Sequence, residues 1–233
     1  MATISFNLQA VSSRIAKAAQ AAGRDPSSIT LLAVSKTFGP DAILAAAACG
    51  QRAFGESYVQ ESVRKITGLA SRQFAPKLEW HLVGPLQSNK TAEAARLFHW
   101  IHSIDRLRIA QRLSAARKAD DGPLQVCIQV NVSGEPSKHG VKPEDVATLA
   151  AAIADLPNIA LRGLMAIPEP TSDVALQRVH FAELRTLQEG LCNRGYELDT
   201  LSMGMSADLE AAILEGATIV RVGSAIFGDR AHA

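Results

Sequence analysis

An eightfold alternation limits what this chain can fold into more than any other feature. Short, mostly apolar runs at 29–36, 52–56, 79–86, 100–105, 124–132, 160–168, 200–205 and 218–227 are each bounded by Gly, Pro, Asn, Asp or Ser, as strands are. Between them lie Ala-rich or mixed-charge segments with helical spacing at 40–49, 58–72, 88–97, 107–119, 143–155, 172–193 and 207–215. The run 124–132 is nearly continuous in its apolar residues, as parallel strands covered on both faces are. Eight such units in 233 residues predict an α/β fold, a single (β/α)8 barrel domain spanning 1–233. An open doubly wound sheet usually carries G-x-G-x-x-G after its first strand, whereas that turn here reads Ser35, Lys36, Thr37, Phe38, Gly39, Pro40. No Pro/Ser/Gly-rich linker or low-complexity tract divides the chain.

Before the first run, residues 1–24 carry Arg14, Lys17 and Arg24 with several serines and no acid, a charge pattern like that of an organelle transit peptide. Their apolar spacing says otherwise. Leu8, Val11, Ile15, Ala18, Ala19 and Ala22 recur every three or four residues, which predicts an extra amphipathic helix packed on the barrel. With 24 Lys+Arg against 23 Asp+Glu and 5% aromatics, the chain lacks the basic excess and aromatic interleaving of a nucleic-acid binder. Cys49, Cys127 and Cys192 are far apart with no C-x-x-C pair, so neither a metal site nor a disulfide framework is expected, and a reducing cytoplasm is. No apolar run approaches the roughly 20 residues of a membrane span.

In such a barrel the chemistry lies at the C-terminal ends of the strands. Lys36 ends the first run, and alternation puts it on the same face as Leu32 and Val34. An ammonium projecting from that apolar wall is desolvated, which favours the neutral amine that attacks carbonyls. The alternative is a strand-end lysine reaching back to water. Arg221 sits between valines in the last run and needs acceptors if buried, so it is either a ligand contact or half of an ion pair. Two small-residue loops, 201–206 and 223–228, follow strands seven and eight, where barrels often bind phosphate. Ser206 reads as the N-cap of a helix starting at Ala207, whose positive end suits an anion. The histidines carry no metal-ligand pattern. His99 and His102 are assigned to the non-catalytic end of the fourth strand, and His81 to the core or the mouth.

An amine, a phosphate site and an arginine in these places suit pyridoxal 5′-phosphate (PLP), whose aldehyde takes a lysine and whose ring nitrogen takes an Asp or Arg partner. The blocks LAVSKT at 32–37, FGESYVQE at 54–61, WHLVGPLQSNK at 80–90, QVNVS at 129–133, GLMAIP at 163–168, LSMGMS at 201–206 and VRVGSAIFG at 220–228 resemble, in order, the YggS/PROSC family of PLP homeostasis proteins. The resemblance implies a PLP aldimine on Lys36, phosphate contacts from Ser202, Met203, Gly204, Ser206, Gly223 and Ser224, and Arg221 at the pyridine nitrogen. It also implies a cytoplasmic monomer that buffers PLP and hands it transiently to apo PLP enzymes. Ser57 stands where the family usually has Asn, so no binding role is carried onto it. Asp229 stands where a small residue usually follows the last block.

The family resembles the barrel half of alanine racemase, which makes a PLP-dependent racemase the alternative function. The chain given stops at Ala233 and its tyrosines are Tyr58 and Tyr196, so the second domain and second base of such racemases are not expected. A Schiff-base aldolase acting on a sugar phosphate is disfavoured by Arg221 and by the block matches. An arginine at the ring nitrogen only donates a hydrogen bond, which leaves a weak electron sink and implies slow amino-acid chemistry at most.

Overall fold

The computed structural model describes residues 2–71, 77–135 and 139–228. It is a closed barrel of eight parallel strands in chain order: β1 (Thr30–Val34), β2 (Ala53–Glu56), β3 (Glu79–Leu82), β4 (Trp100–Ile104), β5 (Leu124–Gln129), β6 (Ile159–Met165), β7 (Thr200–Ser202) and β8 (Ile219–Val222). Helices α2 (Pro40–Ala48), α3 (Val59–Ala70), α4 (Thr91–Leu97), α5 (Leu107–Ala116), α6 (Val146–Ala154), α7 (Val174–Cys192) and α8 (Leu209–Leu214) connect them. The predicted α/β barrel is the observed fold. Arg72, the last residue of the predicted run 58–72, and the position Asp229 lie outside the described residues.

Leu32, Ala53, Val83 and Ile219 fill the barrel as a small cluster of their own, while the main core lies between strands and helices. The interior is thus packed, not a pore. Strands end earlier than the apolar runs because residues past the ends stay buried without staying regular. Val83 and Met203 still donate to Glu56 O and Ile219 O, yet both lie beyond their strands. The last run divides: β8 stops at Val222, and after Gly223 the chain turns into a four-residue helix, α9 (Ser224–Phe227).

The predicted N-terminal helix is α1 (Ala2–Ala21), with Leu8, Val11, Ile15, Ala18 and Ala19 buried against α2, α8 and α9. Its polar groups carry a second function. Arg14 grips Glu210 of α8 through two bonds of 2.7 and 2.8 Å and donates to Ser206 O at 2.9 Å, while Asn7 donates to Ile226 O at 2.9 Å. This helix therefore straps both small-residue loops from behind.

Gly163 lets β6 and β7 approach, since a Cβ there would stand 1.8 Å from Thr200 O. Gly163→Ala is expected to cost about 3 kcal/mol or more in denaturant unfolding. Gly190→Ala, in α7 with nothing near its Cβ, should gain about 0.5–1 kcal/mol. Equal effects at the two positions would contradict the packing at the β6–β7 contact.

Candidate ligand site at the barrel mouth

Closure of the barrel sets β8 beside β1 in the register Leu32↔Arg221 and Ala33↔Val222. The ends of these strands and of β7 form one side of the mouth. Lys36 lies there half-buried, but it is not a strand residue as the sequence predicted. The ladder ends with Ser35 N donating to Gly55 O, and a turn follows in which Phe38 N donates to Ser35 O and Thr37 takes φ +70°. The turn overrides strand alternation and aims Lys36 independently of Leu32 and Val34. Phe38 packs its ring 5.1 Å from that of Phe227, joining this turn to α9.

The two loops after β7 and β8 meet at Ser206 and Ser224, whose hydroxyls are 3.4 Å apart. Ser224 is exposed, and Ser206 and Gly223 are half-buried, so these three are open to a ligand. Ser206 is not an N-cap, contrary to the sequence reading. Residues 206–208 form a turn, and α8 begins only at Leu209 after Asp208, whose carboxylate accepts from Met205 N. The helix start next to the loops is instead α9, with Ser224 and Ala225 at its first positions, where amides have no intrahelical acceptor. Met203 is fully buried in the core and Gly204 is buried too. Both glycines also have packing reasons. Gly204 has φ +89° and a Cβ there would be 2.5 Å from Ala212 Cβ, while a Cβ on Gly223 would be 3.1 Å from Val34 O.

Arg221 and Ser202 lie deeper, inside the barrel, at 4% and 0% exposure. Arg221 Nη1 donates to the carbonyl and hydroxyl of Ser202, and Nη2 to Ala166 O at 2.8 Å. All three acceptors are neutral. Burial pulls the guanidinium down to about 10, with Asp208 opposing through space, so it is still a cation at neutral pH. Two of its five N–H groups remain for a ligand. Arg117, another buried arginine, is closed off differently: its donors go to the carbonyls of Ala95, Phe98, Asp121 and Gly122. The fully buried Cys127 thiol is pushed up to about 12 by desolvation.

From Ser202 a polar chain crosses the barrel. Its hydroxyl is 2.7 Å from His102 Nδ1, His102 Nε2 is 2.9 Å from His81 Nδ1, and His81 Nε2 is 3.2 Å from Glu79 Oε1. Burial holds both imidazoles below the ordinary range, most strongly at His102, so both are neutral. Arg221 donates to Ser202 Oγ, the direction of the two inner bonds follows the imidazole tautomers, and His81 Nε2, although 3.2 Å from Glu79 Oε1, makes no hydrogen bond. The sequence reading missed His102, which sits in the middle of β4 and not at its foot. The available signal was a polar residue inside a run expected to line a barrel. His99, at that foot, accepts from Trp80 N.

The remainder of the mouth, at the ends of β2 to β5, holds a cleft of about 480 Å³ with Ser57, Tyr58, Lys90, Arg106 and His139 on its wall. A larger cleft of about 880 Å³ near Arg162 and Tyr196 lies at the opposite end of the barrel. Among the described residues no group of three His, Cys, Asp or Glu is placed to hold a metal, and no helix is long and apolar enough to cross a membrane.

Residues 6–231 match the family described as alanine racemase, N-terminal domain. The chain is 57% identical to the pyridoxal phosphate homeostasis protein of Pseudomonas aeruginosa, over 99% of this chain and 97% of that one. The chain belongs to the pyridoxal phosphate homeostasis protein family. The relative of that name in Vibrio cholerae is 52% identical over 99% of this chain and 98% of its own. Among solved structures, PipY of Synechococcus elongatus with PLP bound is similar at a TM-score of 0.83 and 37% identity, covering 97% of this chain and 100% of that one. Alanine racemase of Clostridium difficile shares the fold at a TM-score of 0.73 and 16% identity, and this family member covers 98% of its own length and 57% of the racemase.

The neutral histidines have a consequence for stability. In the unfolded chain they bind protons below about pH 6.5, whereas the folded barrel keeps them neutral, so stability is complete above that pH and is lost as pH falls below it. Each excluded proton contributes a slope of about 1.4 kcal/mol per pH unit. In urea titrations between pH 6.5 and 5, His102→Gln is expected to lose stability less steeply than the parent by about one proton. Parallel profiles would mean that His102 is protonated in the folded barrel.

Proposed function

We propose that this protein holds pyridoxal 5′-phosphate at the barrel mouth and buffers or delivers it within the cytoplasm, without metabolic turnover of amino acids. The observation that carries the reading is Arg221, a buried cation bonded only to neutral oxygens and with donors to spare. Such a charge is costly unless an electron-rich partner completes its shell. Family membership and the PLP-bound PipY neighbour support the choice of partner.

The residues present fit that ligand. PLP supplies an aldehyde that links reversibly to an amine and a ring that accepts electrons. Lys36 provides the amine from the turn after β1. The hydroxyls of Ser206 and Ser224, with the free amides at the start of α9, receive the phosphate at the rim. Ser202 and Gly204 serve from beneath, by fixing Arg221, whose own N–H donates to Gly204 O. Met203 contributes through the core, not through a side chain in the mouth. Arg221, protonated at pH 7, donates to the ring nitrogen and cannot give it a proton. We further propose that the loaded protein acts as a monomer and meets apo PLP enzymes transiently.

The purified protein is expected to absorb at about 420 nm with PLP and to be trapped at Lys36 by borohydride. Lys36→Ala should lose both signals, and retention of either would move the anchor to another lysine. Ser224→Asp places a like charge at the phosphate and should weaken PLP at least about tenfold while leaving pyridoxal, which lacks phosphate, nearly unchanged. Equal losses would remove the phosphate from this rim. With millimolar L- or D-amino acids, turnover should stay orders of magnitude below the roughly 10 per second of a median enzyme.

A further inference from the structure

The turn that presents Lys36 is gripped on both sides from α3. Lys65 Nζ donates to Ser35 O at 2.8 Å and lies 2.9 and 3.1 Å from the two carboxylate oxygens of Glu56. It is also 2.6 Å from Glu61 Oε1, one helical turn away on the same face. Ser35 Oγ donates to Glu56 Oε1 at 2.6 Å, so the residue before Lys36 is held by its hydroxyl and by its carbonyl. The residue after it is held by its amide: Thr37 N donates to Glu61 Oε1 at 2.7 Å. Lys65 and Glu56 are almost wholly buried, whereas the Glu61 side chain keeps 29% of its surface open.

The backbone at Thr37 shows what this grip acts on. Its φ of +70° lies in the left-handed region, which β-branched residues avoid because Cβ crowds the following carbonyl. Thr37 is itself exposed, so core packing does not force it there. A carboxylate accepting from its amide is the contact that favours this conformation. Because Phe38 on the far side is anchored to Ser35 O and to the Phe227 ring, rotation of Thr37 back to negative φ keeps the turn closed only if the dihedrals at Lys36 readjust, which would swing its side chain.

We propose that Glu61 is a positioning residue for the ligand-binding amine, holding Thr37 in its left-handed conformation so that Lys36 points into the mouth, with Lys65 fixing Glu61 in turn. The proposal rests on the reading that Lys36 takes the PLP aldehyde. Lys65 is not a rival anchor, because its ammonium is surrounded by two carboxylates and a carbonyl and is nearly excluded from water. The role differs from that of Glu56, whose loss would leave a buried lysine short of a partner and would act on the whole fold.

The test compares Glu61→Ala, Glu61→Gln and the double variant E61A/T37G with the parent protein. Glu61→Ala should weaken PLP about tenfold and slow borohydride trapping at saturating PLP, with a melting temperature close to the parent's. Glu61→Gln, whose amide oxygen still accepts from Thr37 N, should retain most of the affinity. Glycine adopts positive φ without penalty, so E61A/T37G should recover part of what Glu61→Ala loses. Parent-like affinity and trapping in Glu61→Ala would overturn the proposal, as would a double variant no better than the single one. Both outcomes leave the PLP reading intact. If the parent protein itself is not trapped at Lys36, that reading fails first, and this one with it.

Discussion

The pairing of β8 with β1 is the constraint on which the site depends. Four consecutive residues of each strand are in register, from Thr30↔Ile219 to Ala33↔Val222. That register sets Arg221 level with Leu32 inside the barrel, and sets Gly223 so close to Val34 O that no other residue fits without displacement. A lysine from the first unit and an arginine from the last, 185 positions apart in sequence, therefore open onto one mouth. The apolar runs provide the energy for closure, since each buried strand removes its side chains from water on both faces. The N-terminal helix completes the arrangement by tying Ser206 O and Ile226 O from outside, so the loops at the rim do not rely on their own short turns for order.

Within this frame, the polar groups inside the barrel are joined into a series that leaves His81 Nε2, at its end, without a hydrogen-bond partner. Bonds of 2.7 and 2.9 Å join Ser202, His102 and His81, and His81 Nε2 lies 3.2 Å from the carboxylate of Glu79, which is partly open to water. An interruption would leave a buried donor or acceptor unmatched, at a cost of about 1–3 kcal/mol. The series solves the problem of three interior polar side chains but does not neutralise Arg221. Among the described residues no carboxylate pairs with the guanidinium, and two of its N–H groups are left over from its bonds to Ser202 and Ala166. The fold thus maintains a buried charge whose shell, in the proposed binding mode, an electron-rich group would complete.

The fold was legible in the sequence because it rests on a repeated pattern of buried runs and helical faces. The existence of each strand followed from local composition, but its end did not, since Val83 and Met203 stay buried and hydrogen-bonded beyond the regular ladder. For the candidate site, the placement of Lys36 and Arg221 on neighbouring units of the closed barrel was legible. Local conformation was not, because Thr37 is a residue that rarely enters the left-handed region and so announces no turn. The capping role expected of Ser206 failed for a related reason: Asp208, two residues on, takes the N-cap position, and its carboxylate binds Met205 N. Pairings such as Arg14 with Glu210 and His102 with Ser202 join residues about 196 and 100 positions apart, and no local pattern encodes them.

The charge states along the interior series also bear on the proposed role, storing a ligand in preference to transforming it. Ser202 and the two imidazoles that lie between Arg221 and Glu79 are all neutral at pH 7. Arg221 keeps its own proton at neutral pH, so in the proposed binding mode it would donate a hydrogen bond to a ring nitrogen and leave that nitrogen unprotonated. A ring held there gains a strong hydrogen bond without gaining the charge that would draw electrons into it. The groups at the rim differ in kind: Ser224 is exposed, and Lys36 and Ser206 are half-buried, so water reaches the rim proposed to receive the phosphate. Firm donors at the closed end and solvated contacts at the open end favour reversible retention, the combination that a carrier of a reactive aldehyde requires.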